Sequence, residues 1–126
     1  KNQGAQDIGR YDFLKDMQRL EDLIDKDAKF GYGYAVMLTN DHTYWNSTLN
    51  FNTCDAAFRI SEGLTKTGEL KWSENTSSGT QKGRETPIII RGKYDLTWQD
   101  YSIIEKNKPN KFKSLIIKIS KNNKGI

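Results

Sequence analysis

The pattern of apolar and polar positions is clearest near the start of the chain. Phe13, Met17, Leu20 and Ile24 recur at helical spacing on one stripe, and Leu14 and Leu23 widen it. Lys15, Arg19, Asp22 and Lys26 fall on or near the wet side. Asp7 has the short acceptor side chain of an N-cap, so the spacing predicts an amphipathic helix over 7–26. The run Tyr-Gly-Tyr-Ala-Val-Met-Leu-Thr lies within 30–39 and is apolar without strict alternation. It reads as a strand covered on both faces and interior to a sheet, with Tyr34, Val36 and Leu38 on one side and Ala35 and Met37 on the other. Asn40-Asp41 ends it with turn chemistry.

Further along, Tyr44 and Trp45 open a polar stretch to about Thr53, read as a loop pinned by aromatics. Residues 56–60 and 68–73 read as short strands, the second holding Leu70 and Trp72. Residues 74–86, rich in Ser, Thr, Gly and charge, read as a surface loop. Residues 86–91 are predicted as a strand, with Gly92 turning the chain into another over 93–98. In that second strand Tyr94, Leu96 and Trp98 alternate with Asp95 and Thr97. Residues 112–119 close the structure with Leu115, Ile116, Ile117 and Ile119. The fold class expected is α+β, one long amphipathic helix packed on a mixed, mostly β structure. One helix covers only one face of a sheet, so the other face is left open.

Composition narrows the function classes. The 126 residues are expected to form a single domain (1–126), and 14 aromatics compensate for an apolar fraction of only 35%. No apolar run reaches the roughly 18–20 residues that cross a bilayer, so no membrane span is expected. One cysteine, Cys54, and one histidine, His42, exclude zinc fingers and disulfide scaffolds. A single thiol fits a reducing, cytoplasmic setting. The chain opens at Lys1 without an initiator methionine and with a polar hexapeptide, which reads as a fragment of a longer protein.

Charge is uneven. Residues 1–105 hold 13 Lys or Arg against 16 Asp or Glu, whereas 106–126 hold seven lysines and no acid. Clustered lysines attract phosphate irrespective of sequence; they also serve as a solvated guard on an edge strand. Arg10 lies on the flank of the apolar stripe near the helix start, with Gln3 and Gln6 just upstream. A helix start favours anions, so Gln3, Gln6 and Arg10 form a candidate phosphate or nucleic-acid site. The alternative is that Arg10 pairs with Asp7 or with an acid of the sheet.

The remaining chemistry is thinner. Asp12, Asp16, Glu21, Asp22, Asp25 and Asp27 concentrate on the helix and read as a solvated face, so no catalytic residue and no metal ligand is assigned. Glu69 and Lys71 read as cross-strand surface charges, His42 as turn surface and Cys54 as a small apolar residue. Trp45, Trp72 and Trp98, with the open sheet face, are the alternative basis for a non-catalytic module that docks a protein or a second copy.

Four segments resemble bacterial restriction-endonuclease-like proteins of the PD-(D/E)XK superfamily. They are Asn-Gln-Gly-Ala-Gln-Asp-Ile-Gly-Arg-Tyr-Asp-Phe at 2–13; Gly-Tyr-Ala-Val-Met-Leu-Thr-Asn-Asp at 33–41 with Tyr44-Trp45; Gly-Arg-Glu-Thr-Pro-Ile at 83–88; and Trp-Gln-Asp-Tyr-Ser at 98–102. The resemblance implies the second half of that fold, with 7–26 as its second helix and 30–39 as its fourth strand. It implies that the catalytic strands, and a divalent metal such as magnesium, belong to the full-length protein and not to this chain. It implies a nucleic-acid-directed module lacking catalytic carboxylates, whose open sheet face meets the N-terminal portion or a second copy.

Overall fold

The computed structural model describes residues 3–27, 29–46, 53–102 and 111–121. Helix α1 spans Gln3–Lys26, so it starts earlier than Asp7. Gln3, Ala5 and Gln6 are good helix formers, and Asp7 turns its carboxylate toward Arg10 one turn on instead of capping. Phe13, Leu14, Met17 and Ile24 are buried along the predicted stripe, while Leu23 is exposed and does not widen it. At the far end the Asp27 amide still reaches the Leu23 carbonyl, and the Asp27 carboxylate accepts from the Lys29 amide, which turns the chain away.

Among the described residues five strands follow: β1 (Tyr32–Thr39), β2 (Thr65–Leu70), β3 (Ile88–Asp95), β4 (Trp98–Ser102) and β5 (Lys111–Ser120). They form two antiparallel sheets, one ordered β1-β5-β4 and one pairing β2 with β3. The fold class is α+β, with the helix laid against both sheets. In the first sheet Val36 stands opposite Ile116 and Trp98 opposite Leu115. In the second the register slips between Lys66 and Gly68, where Gly68 has φ 81°, a bulge conformation natural to glycine.

Several expectations are corrected. Among the described strands β1 pairs with β5 alone, so it is an edge strand and not an interior one. Its inner face carries Gly33, Ala35 and Met37. The terminal methyls of Leu20 lie where a Cβ on Gly33 would go, so small residues let α1 sit close. Its outer face carries Tyr32, Tyr34, Val36 and Leu38, all exposed. Residues 56–58 form a 3-10 turn, not a strand, because the Phe58 amide bonds back to Asp55 and the Arg59 amide to Ala56. The second strand lies at 65–70, not 68–73. Gly92 is no turn: β3 runs straight through it.

The corner instead falls at Leu96-Thr97, where β3 leaves one sheet and β4 enters the other. The Leu96 amide bonds to Leu64, and the Trp98 amide to the Glu62 carboxylate at 2.7 Å. Trp72 and Trp98 are core residues, with indole N–H groups donating to the carbonyls of Arg84 and Ile60 at 2.9 and 2.8 Å. They are therefore not docking aromatics. Trp45 is half-buried and tilted against Trp98.

The free edge of β3 is closed by α1. Glu21, only 1% exposed, accepts from the Arg91 amide at 2.8 Å, the Gly92 amide at 2.7 Å and the Tyr94 hydroxyl at 2.8 Å. Gln18 accepts from the Ile89 amide at 2.9 Å. Glu21 is thus not part of a solvated face. Asp22 and Asp25 flank it at the surface and hold the Arg91 guanidinium at 2.9 and 2.7 Å, and Asp12 holds that of Arg84 at 2.9 Å.

Candidate functional site

Two places merit attention: the ionic cluster where the sequence placed a phosphate site, and the open face of the β1-β5-β4 sheet. Gln3 opens α1, but its side chain lies outside the described residues. Gln6 donates to Asp41 Oδ2 at 2.6 Å, and Asp41 in turn caps the 3-10 turn His42–Tyr44 by accepting from Thr43. Gln6 therefore braces the turn that follows β1. His42 is exposed on that turn.

Arg10 is 3% exposed and faces inward. Its Nη1 bonds Asp55 Oδ2 at 3.0 Å and Asp7 Oδ1 at 3.3 Å, and its Nη2 donates to the Thr43 carbonyl at 3.1 Å. The guanidinium also lies over the Tyr44 ring at 5.3 Å. Tyr44 reaches this position because its hydroxyl occupies the space a Cβ on Gly9 would fill. Asp55 further receives the Thr53 hydroxyl and lies 3.8 Å from Arg59. Of the two readings of Arg10, the geometry shows the pairing with Asp7 and with a second acid, although that acid sits in a turn and not on the sheet.

The two carboxyls of this cluster behave differently. Burial, together with a hydrogen bond and repulsion from Asp55, pushes Asp7 up to about 7 despite Arg10. Burial also works to raise Asp55, but the hydrogen bonds from Asp7 and Thr53, with Arg59 and Arg10 beside it, more than offset this and lower it. Asp7 therefore holds a proton near neutral pH while Asp55 stays charged. An open depression of about 480 Å³ lies beside the pair, lined by Asp7, Ile8, Thr53, Cys54, Asp55, Gly79 and Thr80. Cys54 is half-buried on its wall. An anion arriving here would have to displace two carboxyls from Arg10, so the cluster braces α1 against the 53–59 segment.

The acids offer little to a cation. Among the described residues no group of three or more His, Cys, Asp and Glu is placed to share a metal ion. Glu69 and Lys71 are exposed. Lys66, in contrast, is buried, with its ammonium on the Ala57 carbonyl at 2.9 Å and its pKa brought down to about 8 by burial. No described helix is long and apolar enough to cross a membrane.

The open face presents a different surface. Tyr32, Tyr34, Val36, Leu38, Tyr101 and Ile116 are each between 48% and 59% exposed. Pairing of Val36 with Ile116 and of Leu38 with Ser114 places them on one side of the sheet, opposite α1. Tyr32 and Tyr34 meet edge to face at 5.7 Å, and the Lys118 ammonium lies over the Tyr32 ring at 4.9 Å. Lys113 is engaged by Asp100 at 3.1 Å, and Lys121 is exposed. Lys106, Lys108 and Lys124 lie outside the described residues. The alternation of small inward and large outward residues on β1 was the signal for this face.

No protein-family model, curated protein or solved structure matches this chain.

Proposed function

We propose that this chain is a non-catalytic binding module whose open β1-β5-β4 face docks a polypeptide surface. The observation that carries the reading is the row of large apolar side chains left on that face while the opposite face is packed by α1. With aromatic side chains carrying about 150–250 Å² each, the exposed part of the six residues sums to roughly 600 Å², the upper end of the largest patch on ordinary monomers. Single scattered apolar residues need no such account; a contiguous row on one sheet does.

The rival is the nucleic-acid-directed module implied by the restriction-endonuclease-like resemblance. It draws support from Tyr32, Tyr34 and Tyr101 on a face that also carries Lys118, since bases stack on exposed aromatics and phosphates meet lysines. Val36, Leu38 and Ile116 between those tyrosines favour the polypeptide, because aliphatic side chains offer bases neither a ring face nor a donor.

A hydrophobic dye and an oligonucleotide test the reading. The dilute native protein is expected to enhance the emission of an anilinonaphthalene sulfonate dye. Val36→Lys and Ile116→Glu are each expected to cut that emission several-fold while keeping the melting temperature within about 2 °C. Absence of dye binding, or large destabilisation in both variants, would show that the face is no docking surface. Fluorescence anisotropy with a single-stranded oligonucleotide is expected to show no change that depends on Tyr34. A salt-sensitive change lost in Tyr34→Ala would overturn the reading in favour of nucleic acid.

A further inference from the structure

The geometry points to a second copy of this chain as the occupant of the open face, the two sheets stacking face to face about a two-fold axis near Val36 and Ile116; this rests on the docking reading above. Three features of the face argue for self-association.

The first is size. Roughly 600 Å² of apolar surface on each copy gives about 1,200 Å² removed from water in a pair, the lower bound of stable specific interfaces. Two antiparallel sheets stack at about 10 Å with strands within about 30° of one another, the arrangement of a β-sandwich core. The face therefore has the area and the flat, pleated form that a copy of itself can cover.

The second is relief. Along the face the cross-strand rows run Tyr34–Lys118, Val36–Ile116 and Leu38–Ser114. Rotation by half a turn about the middle row sets Tyr34 of one copy over Leu38 of the other, and Lys118 over the small Ser114. Ser114 is small and itself buried, which leaves room above it, while Tyr34 and Leu38 both stand out from the face. Apolar thus meets apolar along β1, and a long side chain meets a short one along β5, on both sides of the axis as an isologous interface requires.

The third is charge. Strand β1 contains no charged residue, and Lys118 is the charged side chain in these rows. Lys118 stands two residues from the axis along β5, about 7 Å at strand spacing, so the rotation keeps the two ammonium groups about 13 Å apart. That exceeds the Debye length of about 8 Å at physiological salt. Each ammonium already rests on its own Tyr32 ring, at the rim of the patch and not at its centre. The edge of β3, by contrast, is closed within the chain by Glu21 and Gln18, so β3 needs no partner.

Sedimentation velocity from about 1 to 200 µM reads the association directly, a range that brackets micromolar pairing. The wild type is expected to move from the monomer mass to twice that mass, with dye emission per chain falling as the dimer forms. Val36→Lys and Ile116→Glu are expected to stay monomeric, whereas Ile89→Lys, exposed on β3 away from the face, still dimerises. A wild type that stays monomeric throughout, or dimers that persist in both face variants, would overturn the second copy. If the monomeric wild type nonetheless binds the dye, only the second copy falls and the docking reading stands. If it binds no dye, both fall.

Discussion

Replacing Glu21 tests how the helix is joined to the second sheet. Its carboxylate takes three donors, the Arg91 and Gly92 amides and the Tyr94 hydroxyl, and the last two of these bonds are buried. Glu21→Ala leaves those two donors without an acceptor, at about 1–3 kcal/mol each, and opens a void beneath α1. Release of a buried carboxylate gives part of this back. The expected net loss is about 3–5 kcal/mol, a third or more of the stability of a typical domain. Glu21→Gln keeps one oxygen but turns an amide N–H₂ toward a backbone donor, so it is expected to lose about 1–2 kcal/mol. Tyr94→Phe should cost about 1 kcal/mol in the wild type and less beside Glu21→Gln, because the two side chains share one bond. Urea unfolding followed by the fluorescence of buried Trp72 and Trp98 measures each value. A loss below about 1 kcal/mol for Glu21→Ala, or equal losses for Ala and Gln, would refute the reasoning.

The Asp7–Asp55 pair predicts a pH dependence. Asp7 holds its proton up to about 7 in the folded state, against about 3.9 unfolded, so the folded state binds the extra proton between these values. Stability should therefore fall as pH rises from about 4.5 to 7, by at most about 1.4 kcal/mol per pH unit, and Asp7→Asn should flatten the slope in chemical denaturation at several pH values. The lowered Asp55 acts in the opposite sense, its contribution being lost only as pH falls below about 4. Arg10→Ala strands the buried Asp55 carboxylate and should cost about 3 kcal/mol in urea unfolding; a variant of wild-type stability would return Arg10 to the role of a free anion receptor.

The sequence made α1 legible because its stripe obeys one period over several turns. It also contained the clue to Glu21, which falls four residues after Met17 and seven after Leu14, on the apolar stripe itself. An acid at such a position must find donors, yet those donors come from β3, some seventy residues away, and no local pattern reveals them. Arg10 was expected to lean toward the sheet, but it is buried among turn residues, and its partner Asp55 lies in a turn that periodicity could not fold. Strand β1 was found while its surroundings were misread: an unbroken apolar run looks the same whether a second layer covers it or not. The Gly92 turn failed because β3 runs on through it, its amide being taken up by the Glu21 carboxylate.

The pairing order also sets a timetable for synthesis. Among the described strands β5 is the middle one of its sheet and the last in chain order. Val36 waits for Ile116, 80 residues later, which at about 5–20 residues per second is about 4–16 s of translation. Helix α1 and the β2–β3 pair can meet within that interval, but among the described strands β1 has none to pair with until β5 leaves the ribosome. Nascent chains truncated before residue 111 should therefore be held by chaperones, and synonymous codons that slow translation between 40 and 111 should raise the fraction captured.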